Sequence, residues 1–229
     1  MFAKLSARNG NGDVRIDRIS DGSAACGFAW TWVCEKEEGL RGTTFVGLNG
    51  NLEIDYIREI PEPLYKPGDL TVELLKAVTR GATATPKPTF TTRTPTKACD
   101  IAKYLFLDVQ GSSIDESMRF FDDSIIYRDF NYEEPLSGKA EVRRFIEDFS
   151  FPGIEFRPER FDDGVESTCF TWDVCLAGQE DTVKGISFYE VDKDSGLVTY
   201  GKLLSTAAIA YPVSSTADPK LCRYSNVIF

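Results

Sequence analysis

Two residues that lie two positions apart are the best candidates for chemistry in this sequence. Tyr127 and Asp129 fall within 125–130, a run rich in residues that favour β-strands, so we expect both side chains on one face of a strand. A carboxyl group with a raised pKa, beside a phenol, can act as acid, base or orienting group on a carbonyl or epoxide substrate. Asp129 could equally solvate the rim of a sheet or accept a backbone hydrogen bond, and the sequence leaves both interpretations open.

The chain contains no histidine, which limits the catalytic chemistry that it can perform. This excludes a Ser-His-Asp triad, a Cys-His dyad and any metal site built on imidazole. The acidic pairs Glu133 with Glu134 and Asp162 with Asp163 lack the spaced oxygen ligands of a calcium loop, so solvated turns are expected there. We therefore predict no metal site and no cofactor.

Aromatic residues from separate segments suggest either an apolar ligand pocket or a packed core. The candidates for lining such a pocket are Tyr104, Phe120, Phe145, Trp172 and Phe188. Asp173 directly follows Trp172 in an alternating, strand-like run, so the two side chains must point to opposite faces. If Trp172 faces the interior, Asp173 lies outside it.

Composition narrows the class of partner and the compartment. The 229 residues carry a formal net charge of −10, which disfavours duplex DNA and anionic membranes as main partners. No apolar run approaches the roughly 20 residues of a transmembrane helix, and the N-terminus does not open a signal-peptide pattern. We expect a soluble intracellular or organellar protein, with a plastid location open if a presequence has been removed, and no nucleic-acid partner. The six cysteines include no C-x-x-C pair and are expected as free thiols, with a disulfide between strands as the alternative.

The order of elements indicates an α+β domain after a linker rich in Thr and Pro at 80–95. A helix is predicted at 100–108, and Ser113 with Glu116 forms a capping box that should start a second helix. A strand at 125–130 precedes a third helix, whose apolar stripe has helical spacing. Three alternating strands then follow, the last two joined by a turn at 194–196.

Part of this pattern occurs twice in the chain. Residues of the N-terminal region match residues of the C-terminal region at nearly constant spacing, and the matched pairs are Phe28 with Phe170, Trp30 with Trp172, Gly42 with Gly185, Phe45 with Phe188, and Ile57 with Tyr200. The first copy lacks the helices that precede the match in the second copy, so it is predicted to be a sheet without its lid. An apolar helix at 69–79 is expected to cover part of that sheet.

Four segments resemble the SnoaL-like branch of the nuclear-transport-factor-2-like superfamily. They are FFDDSIIYRDF at 120–130, PLSGKAEV at 135–142, CFTW at 169–172 and GISFY at 185–189. The resemblance implies a curved antiparallel sheet wrapped around three helices, forming a cone with an apolar pocket in its mouth. It also implies that the outer sheet face can pair with another copy, here as a pseudo-dimer between the two repeats. The superfamily includes cyclases, isomerases, hydrolases, dehydratases and non-catalytic binding modules, so the resemblance does not fix the activity.

These observations predict four regions: a partial sheet with a trailing helix at 1–79, the linker at 80–95, a complete SnoaL-like domain at 96–213 and a tail at 214–229. The leading hypothesis is a non-catalytic binding or assembly module that uses its sheet surfaces and tail for a protein partner or for self-association. The alternatives are a cofactor-free cyclase, isomerase or hydrolase that uses Asp129 and Tyr127, and a carrier of an apolar small molecule. The tail is expected either to dock as an extended arm on the partial sheet or on another protein, or to remain without fixed structure.

Overall fold

The computed structural model describes residues 12–35, 37–84, 86, 88–177 and 182–206. Ten strands and four α-helices run along this part of the chain. In chain order they are β1 Gly12–Ile19, β2 Ala25–Cys34, β3 Glu37–Leu48, β4 Ile54–Pro61, α1 Leu70–Val78, α2 Ala98–Lys103, α3 Ile114–Met118, β5 Phe121–Asp129, β6 Leu136–Ser137, α4 Lys139–Asp148, β7 Ile154–Phe161, β8 Ser167–Leu176, β9 Thr182–Val191 and β10 Val198–Ser205, with a π-helical segment Tyr104–Val109 continuing α2.

The strands form two sheets, one from each copy of the repeat. The first sheet has the order β1-β2-β3-β4 and is antiparallel throughout. The second has the order β6-β5-β10-β9-β8-β7 and is antiparallel except for the parallel pair of β5 and β10. The α+β class and the curved sheet with a partial repeat are confirmed. Half of the predicted capping box is present: the Ser113 hydroxyl accepts a hydrogen bond from the Glu116 amide at 3.2 Å, whereas the Glu116 carboxylate binds Tyr104 and Arg119 instead of the Ser113 amide.

The second sheet encloses a cone-shaped core together with α2, α3 and α4. Alternate residues of β8 point to opposite faces of the sheet. Phe170 and Trp172 point into the cone core, whereas Cys169 belongs to a separate cluster on the outer face. Asp173 lies outside the cone, where it contacts Arg58 of β4 at 3.3 Å. The side predicted for Asp173 from strand alternation is therefore confirmed.

The two sheets pack against each other through their outer faces. The residues of this inter-sheet core are Phe45 and Ile60 from the first sheet and Cys169, Ile186, Phe188, Tyr200 and Leu204 from the second. Gly27 is required at the point of closest approach, since a Cβ atom there would lie 2.2 Å from the Cys169 sulfur. The pairing of sheets that the repeat suggested thus occurs within one chain.

Reciprocal contacts across this interface reveal a pseudo-two-fold relation between the copies. The Arg18 guanidinium lies 3.6 Å from the ring centroid of Tyr200, and Arg160 lies 4.3 Å from that of Tyr56. Because Arg18 corresponds to Arg160 and Tyr56 to Tyr200, each copy makes the same cation–π contact to the other. A self-complementary interface of this kind is characteristic of two-fold symmetric dimers.

The turns that precede β2 and β8 are bound in the same reciprocal way. Asp21 accepts hydrogen bonds from the backbone amides of Val165 and Ser167, each at 3.0 Å. Asp163 accepts hydrogen bonds from the Ser23 amide at 2.6 Å and the Ala24 amide at 3.1 Å. Each aspartate therefore satisfies backbone donors in the turn of the other copy, which fixes the two sheets relative to each other.

Local packing inside each copy also matches. The Trp30 indole N–H donates to the Thr44 hydroxyl at 3.1 Å, and that of Trp172 donates to Ser187 at 2.9 Å. Gly42 lies beneath the Trp30 ring as Gly185 lies beneath that of Trp172, since a Cβ would clash with the indole at each position. These contacts agree with the sequence alignment of β2 with β8 and of β3 with β9.

The predicted match of Ile57 with Tyr200 in the closing strand is wrong by one residue. Phe45 pairs across the sheet with Arg58, whereas its counterpart Phe188 pairs with Lys202. Tyr56 is therefore the counterpart of Tyr200, and Ile57 that of Gly201. Register shifts in the β3–β4 and β9–β10 pairs change the number of residues between each Phe and its partner strand position. A match placed at the same number of residues after each Phe therefore misses the true counterpart.

Helix α1 does not cover the first sheet, contrary to the sequence-based expectation. Its Leu75 side chain belongs to the core of the cone in the second copy. Just before and at the start of α1, the Gly68 amide donates to the Asn131 carbonyl at 2.8 Å, and the Thr71 hydroxyl donates to the Asn131 side chain at 2.9 Å. The sequence predicts the apolar stripe of α1, but it does not predict that this stripe covers the cone of the second copy. Among the described residues, no helix is long and apolar enough to span a bilayer.

Candidate functional site

The interior of the cone is filled by aromatic side chains. Tyr104 and Phe120 meet edge to face at 5.5 Å between ring centroids, and Trp172 lies 5.2 Å from Phe156. Tyr104, Phe120 and Trp172 are at most 3 % exposed. Phe145 is partly buried and contacts the ring of Tyr127 at 5.8 Å. Four of the five predicted pocket residues thus come together, but as packed core.

The fifth, Phe188, does not line the cone, so that prediction is wrong. Phe188 is buried in the inter-sheet core, while its neighbour Tyr189 points into the cone. Adjacent residues of a strand face opposite sides, and both are aromatic here. The sequence therefore offered no reason to choose between them.

Tyr127 and Asp129 share a face of β5, as expected, and both are sealed from solvent. Their exposed fractions are 4 % and 5 %. The Asp129 carboxylate accepts hydrogen bonds from the Asn131 backbone amide at 2.9 Å and from the Asn131 side-chain amide at 2.8 Å. Burial raises the pKa of Asp129 to about 7, although the two Asn131 bonds and the positive charge of Lys66 oppose the shift.

The mouth of the cone above Asp129 is closed by the chain that enters α1. Asn131 holds Asp129 on one side and is held by Gly68 and Thr71 on the other. The Tyr132 hydroxyl donates to the Asp69 carboxylate at 2.8 Å, which adds a second link across the same closure. Asn131 lies two residues after Asp129, an offset typical of a side chain that accepts a bond from a nearby backbone amide. The contact of Asn131 with Thr71 has no such signal in the sequence.

Tyr127 is poorly suited to acid–base work in this arrangement. Burial, followed by the effects of Tyr189 and Asp129, raises the pKa of its hydroxyl well above the ordinary value. The hydroxyl is also hydrogen-bonded to Tyr189 inside the core. The pair thus consists of a neutral phenol and a carboxyl group that titrates near neutrality. The hydrogen bonds of Asn131 and the start of α1 separate Asp129 from solvent.

Two surface depressions lie away from this pair. One, of about 480 Å³, is lined by Met118, Asp123, Gly138, Lys139, Ala140 and Arg143. The other, of about 400 Å³, is lined by Pro88, Thr89, Phe90, Thr91, Arg93, Leu107 and Asp108. Neither includes a predicted site residue. Within the described ranges, no group of three or more acidic or cysteine side chains is arranged to hold a metal ion.

Three exposed isoleucines lie on the two edge strands of the first sheet, on the face opposite its packed face, while Trp30 and Trp32 between them are 0 % and 5 % exposed. Ile16 and Ile19 pair across the sheet with Trp30 and Phe28, and Ile57 pairs with Val46, so these residues share one face. We call the surface marked by Ile16, Ile19 and Ile57 the open face; their exposed fractions are 49 %, 60 % and 60 %. The corresponding face of the second sheet is covered by α2, α3 and α4. None of the four described helices packs extensively on β1–β4.

Comparisons with known proteins found one family match and several similar solved structures. Residues 102–200 match the family described as "SnoaL-like domain". No curated protein matches the chain. Similar solved structures include an NTF2-like protein of unknown function from Cytophaga hutchinsonii, with 11% identity, coverage of 51% of this chain and 95% of the other, and a TM-score of 0.39.

A protein of unknown function with a cystatin-like fold from Methylobium petroleophilum is 13% identical. The match covers 52% of this chain and 85% of the other, with a TM-score of 0.42. A steroid delta-isomerase from Pseudomonas aeruginosa is 16% identical. That match covers 47% of this chain and 77% of the other, with a TM-score of 0.39.

The second copy is a cone-shaped α+β domain built from a curved sheet and three helices. Its residues 102–200, which make up less than half of the chain, are similar to the SnoaL-like domain family.

Proposed function

We propose that this protein is a non-catalytic SnoaL-like assembly module that binds a protein partner through the open face of its first sheet. The observation that carries the proposal is the asymmetry between the copies. The complete copy has a filled cone, whereas none of the described helices covers the corresponding face of the incomplete copy, where Ile16, Ile19 and Ile57 are exposed.

The state of the cone supports a non-catalytic role. A catalytic acid or base must come within hydrogen-bonding distance of a substrate. Asp129 is 5 % exposed, and its hydrogen bonds to Asn131 tie it to the closed mouth. A substrate would have to displace Asn131 and the chain at the start of α1 that holds it before it could reach this carboxyl group. A carrier of apolar molecules would need a cavity where Tyr104, Phe120 and Trp172 are packed.

The location of the open face supports protein binding. The outer face of each sheet, which related folds can use to pair with another copy, is already occupied by the other repeat within this chain. The apolar surface left over lies on the first sheet. Its exposed members are Ile16 and Ile19 at one edge and Ile57 at the other, and exposed apolar side chains grouped on one face can mark a site of protein association.

The test uses the full-length protein as immobilised bait in an extract of its source organism. Ile57→Asp places a charge on the open face, and Leu107→Asp is the matched control, because Leu107 is 46 % exposed on a different surface. We expect the wild type and Leu107→Asp to retain a common partner that Ile57→Asp loses. Sedimentation of the three proteins checks whether that partner is another copy of the chain.

Retention of the same proteins by all three baits, or of none by the wild type, would overturn the proposed binding face. The enzyme alternative has its own test. A small molecule that raises the melting temperature of the wild type, but not that of Asp129→Asn, would show that ligands reach the cone.

A further inference from the structure

Strand β4 forms one edge of the first sheet. Among the described strands it pairs only with β3, so its other edge carries no strand. Two of its side chains are accessible to solvent, since Ile54 and Ile57 are 61 % and 60 % exposed. An edge of this kind presents backbone amide and carbonyl groups to which another strand can bind.

The complete copy shows how the corresponding edge is filled. In the second sheet, β5 lies along the outer edge of β10 and runs parallel to it. Strand β10 is the counterpart of β4, because Phe188 pairs with Lys202 as Phe45 pairs with Arg58. Within the described part of the chain, the first copy therefore has this edge without the strand that fills it.

The edge of β4 is held in place by contacts on its other sides. The Arg58 guanidinium donates hydrogen bonds to the carbonyl oxygens of Trp172 at 3.0 Å and of Gly185 at 3.3 Å, both in the second sheet. Along the strand, β4 pairs with β3 from Ile54 to Pro61. A preorganised edge loses little conformational freedom when a segment binds to it, which lowers the cost of association.

We propose that β4 binds an extended segment of the partner protein, which joins the first sheet as a parallel strand in the position that β5 takes on β10. In such a complex, main-chain hydrogen bonds supply affinity and the side chains at alternate positions supply selectivity. This inference rests on the proposed function, since it specifies how the partner meets the sheet beside Ile57.

The bound segment carries a small residue opposite Ile57. In the second sheet, Tyr127 of β5 pairs with Gly201, where a Cβ atom would lie 2.4 Å from a carbon of the Tyr127 ring. Ile57 is the counterpart of Gly201, so its side chain occupies space that the aromatic ring takes in the complete copy. Ala or Ser fits opposite Ile57, whereas Tyr does not.

Two acidic residues of β4 determine the charge of the partner. Asp55 and Glu59 lie two residues before and two residues after Ile57. A symmetric antiparallel pair of two β4 strands, centred on Ile57, would place Asp55 of each copy opposite Glu59 of the other. Like charges directly opposite each other destabilise a pair of strands. The edge therefore favours a different protein over a second copy, with Lys or Arg opposite Glu59.

The test uses the full-length protein with a synthetic peptide of residues 122–130 as the probe. In this peptide, Tyr127→Ala leaves room for Ile57, and Asp129→Lys places a positive charge opposite Glu59. We expect the labelled probe to bind in fluorescence anisotropy. A peptide that keeps Tyr127 should bind about tenfold more weakly, because its ring overpacks against Ile57.

Backbone methylation of the probe shows whether it pairs with the strand edge. Alternate amides of an extended strand point to opposite sides, so two further peptides carry N-methyl groups at the even or at the odd positions only. One form blocks the amides that face β4 and should lose binding, whereas the other should keep most of it. The bound probe should also slow amide exchange in β4 and leave β7, the edge strand of the second sheet, unchanged.

A reversal of charge in the protein tests the predicted register. Glu59→Lys should weaken binding of the probe several-fold. The same variant should bind the peptide that carries Tyr127→Ala but keeps Asp129 more tightly than the wild type does, because opposite charges then face each other. The two peptides serve as controls for each other.

Several results would overturn the inference. They are the absence of binding by any of the peptides, equal binding of the two N-methylated forms, and protection of β7 in place of β4. A wild-type dimer in sedimentation that Ile57→Asp dissociates would assign the edge to a second copy instead. If the capture experiment still retains a partner that depends on Ile57, the proposed function stands and only the strand pairing fails.

Discussion

Replacing Asp129 by Asn should stabilise the protein increasingly as the pH rises. The Asp129 pKa is about 7 in the folded protein against an ordinary value of 3.8. A carboxyl group whose pKa is raised by folding contributes stability that is complete below pH 3.8 and is lost as the pH rises through 7. The full difference of about three pKa units corresponds to about 4 kcal/mol, of which about 2 kcal/mol develops between pH 5.5 and 8.5.

Asn at position 129 removes this titration but keeps a side-chain oxygen that can accept the Asn131 amide. The wild type should therefore lose about 2 kcal/mol relative to Asp129→Asn between pH 5.5 and 8.5. Urea unfolding at several pH values within this range, above the sequence pI of 4.7, measures the difference. Asp123→Asn is the control, because the Asp123 side chain is 95% exposed.

A stability difference between wild type and Asp129→Asn that does not change with pH would refute the reasoning. The same conclusion would follow if Asp129→Asn were the less stable protein at pH 8.5. Either result would mean that the carboxyl group is solvated, and that the cone mouth opens more readily than its closure by Asn131 and α1 suggests.

Other substitutions test the packing that supports this picture. Trp172→Ala should destabilise the protein by about 3 to 5 kcal/mol in urea unfolding, because the indole is 2 % exposed in the cone core; near-normal stability would indicate that the ring lines a ligand site. Asp163→Asn and Asp21→Asn should each cost about 1 kcal/mol, since each weakens the hydrogen bonds between copies; a large loss for only one of them would contradict the pseudo-two-fold relation. Thr71→Val should cost about 1 to 2 kcal/mol by leaving the Asn131 side chain without its donor, and faster amide exchange in α1 should accompany it.

Elements and side-chain directions that depend on local spacing along the chain can be predicted from the sequence alone. Helical and strand periodicity, with the Ser113 cap, predicted the three helices of the second copy and its strands β5, β8, β9 and β10, but not β6 or β7. The recurrence of Trp30 and Gly42 at 172 and 185 predicted the repeat, because an indole that lies over a glycine requires the two residues to be partners across a hairpin, whose length differs by one residue between the copies. Strand alternation also placed Asp173 outside the cone.

Which sheet and helix surfaces pack against each other becomes visible only in the tertiary structure. Phe188 and Tyr189 are adjacent aromatic residues, and only the packing of the first sheet onto the second shows that Phe188 faces outward. An apolar stripe such as that of α1 shows that a helix must be covered, but not which surface covers it. Asp129 acquires its raised pKa because its burial in the closed mouth of the cone excludes water from it, in opposition to the hydrogen bonds from Asn131. Burial of this kind depends on contacts between residues far apart along the chain, and periodicity carries no information about them.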